Sequence, residues 1–135
     1  SDLYREFSPN EIVQNVWVEV SDKIIIHCKY IFPFTPQIPH FGFLISTIDS
    51  FPIMSSNPTI SGYNYKPFFS KSGRVIVEIE EPKLMNGIYN LSIWMGDGSI
   101  DSFICHNCLQ FEITTKLPNN IPGFVNPNCN FYYVD

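Results

Sequence analysis

The sequence predicts an all-β chain folded as an antiparallel β-sandwich, with a jelly roll or a partly open barrel as the alternative. Three observations carry this. Alanine is absent, while 12 Phe and 11 Pro are present, a composition that disfavours helix. Apolar residues alternate with polar ones over short runs, and strand side chains alternate between two faces. Turn signals built on Gly, Pro, Asn and Asp separate these runs at short intervals.

Taken in order, residues 1–11 read as a polar lead-in. From Ile12 to Val20 the chain alternates, with Val16, Val18 and Val20 on one face and Asn15, Trp17 and Glu19 on the other. Ser21-Asp22-Lys23 turns it into a second strand, Ile24 to Phe32. There Ile24, Ile26, Cys28, Tyr30 and Phe32 oppose Ile25, His27, Lys29 and Ile31. Pro33, Pro36 and Pro39 then remove ladder donors, which makes 33–39 a loop or an edge. Phe41 to Thr47 is the third strand, and Ile53-Met54-Ser55 is its short return. Ser56 to Pro67 is a polar loop. Arg74 to Glu80 alternates again, with Val75, Val77 and Ile79 on the apolar side. Gly87 to Met95 has the cleanest pattern: Tyr89, Leu91, Ile93 and Met95 face the core, while Asn90, Ser92 and Trp94 face away. Ile100 to Asn107 reads as a loop or short turn and Leu109 to Thr115 as a strand. The Pro- and Asn-rich tail 117–135 ends in Phe131-Tyr132-Tyr133-Val134, a candidate last strand. The whole makes roughly seven or eight short strands with no convincing helix.

At 135 residues the chain is one domain's worth, enough to bury a substantial core. Its net charge of −5 comes with few, scattered Lys and Arg, which argues against nucleic-acid binding and against anionic membrane surfaces. No apolar run approaches a membrane span, and the N-terminus lacks the charged-then-apolar pattern of a signal peptide. An initial Ser in place of Met is consistent with a piece of a longer protein. Of four cysteines, only Cys105 and Cys108 are close in sequence. A core of this size does not need disulfides, so reduced thiols in the cytoplasm are expected. Cys105-His106-Asn107-Cys108 supplies two zinc ligands at most, with Cys129, His27 or His40 needed to complete a set, and no second spaced pair exists. A loop with half-buried thiols is the better reading, and neither a metal nor another cofactor is expected.

Catalysis has little support, for no nucleophile elbow, phosphate-binding glycine loop or His-Glu-x-x-His occurs. Asp97 and Asp101 are near one another, as paired carboxylates of a glycosidase would be, but they flank a Gly-containing turn that favours Asp for its conformation. Binding is better supported. Trp17 and Trp94 both fall on the polar sides of their strands. If those strands share a sheet, two indoles sit on one exposed surface, where sugar rings could stack through their C–H patches. Asn15, Glu19, Asn90 and Ser92 would hydrogen-bond the hydroxyls, with His27, Lys29, Arg74 and Glu78 nearby. Tyr63 and Tyr65, in the polar loop, are further candidates. The competing reading covers the tryptophans with a loop or another subunit, which makes the chain a protein-interaction module.

The order of elements resembles the C-terminal domain of Wzt, the ATP-binding subunit of O-antigen ABC exporters. Three segments carry the likeness. Pro39-His40-Phe41-Gly42-Phe43-Leu44-Ile45 with Ser55-Ser56-Asn57-Pro58-Thr59 is similar to the family's Gly-hydrophobic strand, turn and polar Asn-Thr stretch. Gly73 to Ile79 followed by Leu84-Met85-Asn86-Gly87-Ile88-Tyr89 to Ile93 resembles its paired strands and Leu-x-x-Gly-x-Tyr connector. Asp101 through Phe111-Glu112-Ile113 resembles its acidic loop and Phe-x-Val strand. The likeness covers about 12–115. Asn-Pro-Thr in place of Asn-Thr, and the cysteine pair, are departures confined to loops. The resemblance implies an immunoglobulin-like sandwich that binds exported O-antigen polysaccharide, often at its modified non-reducing end, without catalysis. It also implies a homodimer, joined to an ATPase domain and a transmembrane subunit at the cytoplasmic face of the bacterial inner membrane. Residues 117–135 would then be an exchanged C-terminal strand, or a tail folded back on its own sheet.

Overall fold

A computed structural model describes residues 3–62, 68–98, 100–114 and 127–135. Its strands are β1 (Tyr4–Glu6), β2 (Val13–Val20), β3 (Ile24–Ile31), β4 (Pro39–Thr47), β5 (Pro52–Ser56), β6 (Ser72–Glu80), β7 (Gly87–Asp97), β8 (Ile100–Ile113) and β9 (Asn128–Val134). A single helical turn, α1 (Pro58–Ser61), follows β5. All the pairings are antiparallel, in two sheets ordered β1-β2-β3-β6-β9 and β5-β4-β7-β8.

This order decides the architecture. β2-β3-β6 stand as A, B and E of an immunoglobulin fold, and β4-β7-β8 stand as C, F and G. The place beside β6 is filled by β9 from the C-terminus. The inward face of each sheet is the apolar set its alternation prescribes. Val16, Ile26, Cys28, Val77 and Phe131 are at most 1% exposed in one layer, as are Phe41, Phe43, Leu91 and Ile93 in the other. Two contacts tie β9 across the layers: Phe131 packs on Phe43 with ring centroids 6.3 Å apart, and the Phe41 N–H donates to Tyr133 Oη at 3.3 Å.

The lead-in is not featureless: Tyr4, Arg5 and Glu6 pair with Trp17, Val16 and Asn15 as the edge strand β1. A three-residue strand is too short to show periodicity. The absence of helix is corrected by α1, where Asn57 caps the turn by accepting the Ile60 N–H at 3.0 Å and Pro58 sits at its start. Residues 100–107 are strand, not loop, since β8 runs through them. Between Leu91↔Leu109 and Ile93↔Cys105, β8 uses four residue steps against two on β7, a bulge with two extra residues. Asn107 adopts φ 49° there, and its N–H donates to Ser92 Oγ at 2.9 Å. The bulge breaks the alternation, which is why the strand was not legible.

Candidate functional site

The register of the five-stranded sheet aligns one residue from every strand on its outer face. Tyr4 lies opposite Trp17, Trp17 opposite His27, His27 opposite Ile76 and Ile76 opposite Tyr132. The row crosses the sheet at right angles to the strands. Trp17 and His27 stack with centroids 4.5 Å apart and planes 4° from parallel, and Tyr4 lies 6.5 Å beyond, tilted by 34°. One indole face of Trp17 is therefore taken by His27, and the ring offers its edge and its Tyr4 side to a ligand. Tyr4 and Tyr132, at the two ends, are exposed.

Polar residues flank this row on both sides. On one side Asn15, Lys29 and Arg74 are successive cross-strand neighbours. Lys29 and Arg74 are exposed, and neither has a carboxylate partner among the described residues. Like charges directly opposite cost a few tenths to about 1 kcal/mol. On the other side run Glu19, Ile25, Glu78 and Asn130. Glu19 accepts a hydrogen bond from His27 Nε2, and Glu78 pairs with Lys23 at 3.4 Å. His27 Nδ1 and Asn15 Oδ1 are buried without a hydrogen-bond partner. Six expected site residues, Asn15, Trp17, Glu19, His27, Lys29 and Arg74, thus share one face.

Trp94, Asn90 and Ser92 do not join them. They lie on β7, in the other sheet, so the two indoles point outward on opposite sides of the sandwich. This corrects the expectation of one surface holding both. Trp94 lies half-buried across Gly42 of β4. Asn90 and Ser92 face outward as the alternation requires, yet are 5% and 4% exposed. Ser92 is hemmed in by Leu44 and by the bulge amide it accepts. Tyr63 and Tyr65 lie outside the described residues. The sequence reading missed Tyr4, Ile76 and Tyr132. Ile76 and Tyr132 are out of phase with the core residues of their own strands, a usable signal, but only the register shows that they line up with Trp17.

The alternative chemistries meet structural roles. Asp97 Oδ1 accepts the backbone N–H groups of Gln37 and Ile38, both at 3.0 Å, and so anchors the connection into β4. Cys105 and Cys108 sit at the β8 bulge, while Cys129 is beside Ser61 at the other edge and His40 beside Thr59. Burial, then the neighbouring Cys105, pushes the Cys108 thiol up to about 12 from 9.0. Burial pushes Cys28 well up too. Native-state alkylation at pH 8, read by mass spectrometry, should therefore modify the half-buried Cys105 ahead of Cys108 and Cys28. Because the folded state holds these protons more tightly, their contribution is intact below about pH 9. It falls as pH rises towards about 12, so the urea midpoint should drop over that window.

Residues 6–127 match the family described as the Wzt C-terminal domain. The chain belongs to the Wzt C-terminal domain family. That family is associated with O-antigen ABC exporters. The fold is similar to a crystal structure of the C-terminal domain of Wzt, with a TM-score of 0.55 and 17% identity. The match covers 70% of this chain and 61% of that one, so the chain spans about three fifths of its length. At this identity the likeness to that Wzt domain is one of fold. A search of curated proteins gives no match. Among the described residues, no helix is long and apolar enough to cross a membrane.

Proposed function

We propose that this chain is a non-catalytic domain that binds bacterial O-antigen polysaccharide for export by an ABC transporter, and that it does so on the outer face of the five-stranded sheet. The observation that carries the reading is the row Tyr4–Trp17–His27–Ile76–Tyr132 with polar rows beside it. An oligosaccharide laid along the row meets ring surface through its C–H patches, and Lys29, Arg74, Asn15 and Glu19 lie within reach of its hydroxyls. The unpaired Lys29–Arg74 neighbours fit a face whose electrostatics are completed by a ligand. Family membership supports the rest: an ATPase domain and a transmembrane subunit as partners, at the cytoplasmic face of the inner membrane. A homodimer would join two weak sites into one stronger one. In such a dimer the strand β9 is the segment suited to exchange, because a Pro- and Asn-rich stretch of sequence precedes it.

The test is a glycan array of bacterial O-polysaccharides with the full chain, Trp17→Ala and Tyr132→Ala, alongside the native mass of each. Each variant should bind roughly tenfold more weakly, the loss of about 1.4 kcal/mol of ring contact, at unchanged mass. Dissociation of an oligomer with unchanged glycan binding would instead make this face a protein interface.

A further inference from the structure

A cavity of about 540 Å³ opens where β1, the edge of one sheet, approaches the bulge of β8 at the edge of the other. Its size suits one sugar unit, within the range of small-ligand pockets. Tyr4, Arg5, Asn90, Asn107 and Gln110 contribute to its lining, and among the described residues no carboxylate does. Two features are independent of one another. Asn90 is 5% exposed and lines the cavity. An amide on a cavity wall offers two N–H donors and a carbonyl acceptor to a ligand. Arg5 spends one N–H on the Cys108 carbonyl at 3.2 Å and rests 5.1 Å over the Phe7 ring. It has no ion pair among the described residues. A guanidinium has five N–H donors in a planar fork that matches an oxyanion. The fork is thus held by contacts that leave most of its donors uncommitted.

We propose that this cavity binds the oxyanion group, carboxylate or phosphate, of an acidic sugar, with Arg5 facing the charge and Asn90 the sugar's polar edge. The inference rests on the saccharide-binding reading above and adds a charge preference and a second place of contact. A cation and three amides without a carboxylate form a donor-rich wall, which a neutral sugar would leave partly unused. The bulge is what makes the space: its extra residues carry Asn107 outward and present the Cys108 carbonyl that positions Arg5.

The experiment is an NMR titration of the full chain with methyl glucuronide, methyl glucoside and glucose 6-phosphate. Methyl glucuronide or glucose 6-phosphate should shift the side-chain amides of Asn90 and Gln110, and whichever binds more tightly identifies the oxyanion. Methyl glucoside should bind roughly tenfold more weakly, the worth of a charge-assisted hydrogen bond. Arg5→Gln should erase that difference. Asn90→Asp, which puts a negative charge on the cavity wall, should abolish acidic-sugar binding while thermal melting confirms the fold. Equal affinity for the glucoside and the acidic sugars, or no shift at Asn90 with any probe, would overturn the proposal. Shifts at Trp17 and Tyr132 without any at Asn90 would overturn it while leaving the sheet-face reading standing. Shifts at Asn90 alone would support the cavity and count against the sheet face.

Discussion

Phe131→Ala should cost about 3–5 kcal/mol of unfolding free energy, the largest loss expected of any single truncation in β9. Phe131 is 1% exposed, and its ring packs against Phe43 of the opposite sheet. Among the described residues β9 pairs only with β6, so its side chains, together with one ladder, hold it in place. Removing the ring leaves a hole between the layers that neighbouring Ile79 and Tyr133, already fully buried, cannot collapse to fill without leaving their own contacts. Tyr132→Ala on the same strand should change stability far less, because Tyr132 is 40% exposed on the outer face. Denaturant unfolding of the two variants measures the contrast. Equal losses would mean that β9 is not seated in this register.

That contrast also shows what was legible in the sequence. Wherever a strand keeps strict alternation, as in Val16–Val20 and Tyr89–Met95, its inward and outward residues are readable one by one. Inside and outside are fixed by a period of two and need no partner. The register between strands is a long-range property. Trp17 could be assigned to an outer face, but not aligned with Tyr4, His27, Ile76 and Tyr132. The same gap put Trp17 and Trp94 on a conditional common surface, since nothing local says which sheet a strand joins. Local irregularity hid the rest: the bulge at Asn107 made strand look like loop, and β1 was too short to show a pattern. The outward phase of Asn90 is legible in the sequence, but its burial is not, because shading by Ser46, Gln110 and the β8 edge depends on pairings made far along the chain.

Gly42→Ala should destabilise the domain by about 1–3 kcal/mol, the usual range for overpacking. A Cβ at Gly42 would sit 2.1 Å from Cε2 of Trp94, with Nε1 and Cζ2 at 2.2 and 2.3 Å, so the indole and a methyl cannot share this space. The indole is a rigid bicycle attached to the neighbouring strand, paired directly with Gly42. It must swing away from β4, and its fluorescence should then move to longer wavelength as water reaches the ring. Were the indole elsewhere, the substitution would have the opposite sign, since glycine inside a strand is worth roughly 0.5–1 kcal/mol less than alanine. The double variant separates the two effects. In a Trp94→Ala background, Gly42→Ala should be neutral or stabilising, giving a coupling energy of at least about 1 kcal/mol between the two positions. Additive losses would show that Gly42 is required by the backbone and not by the ring that lies across it.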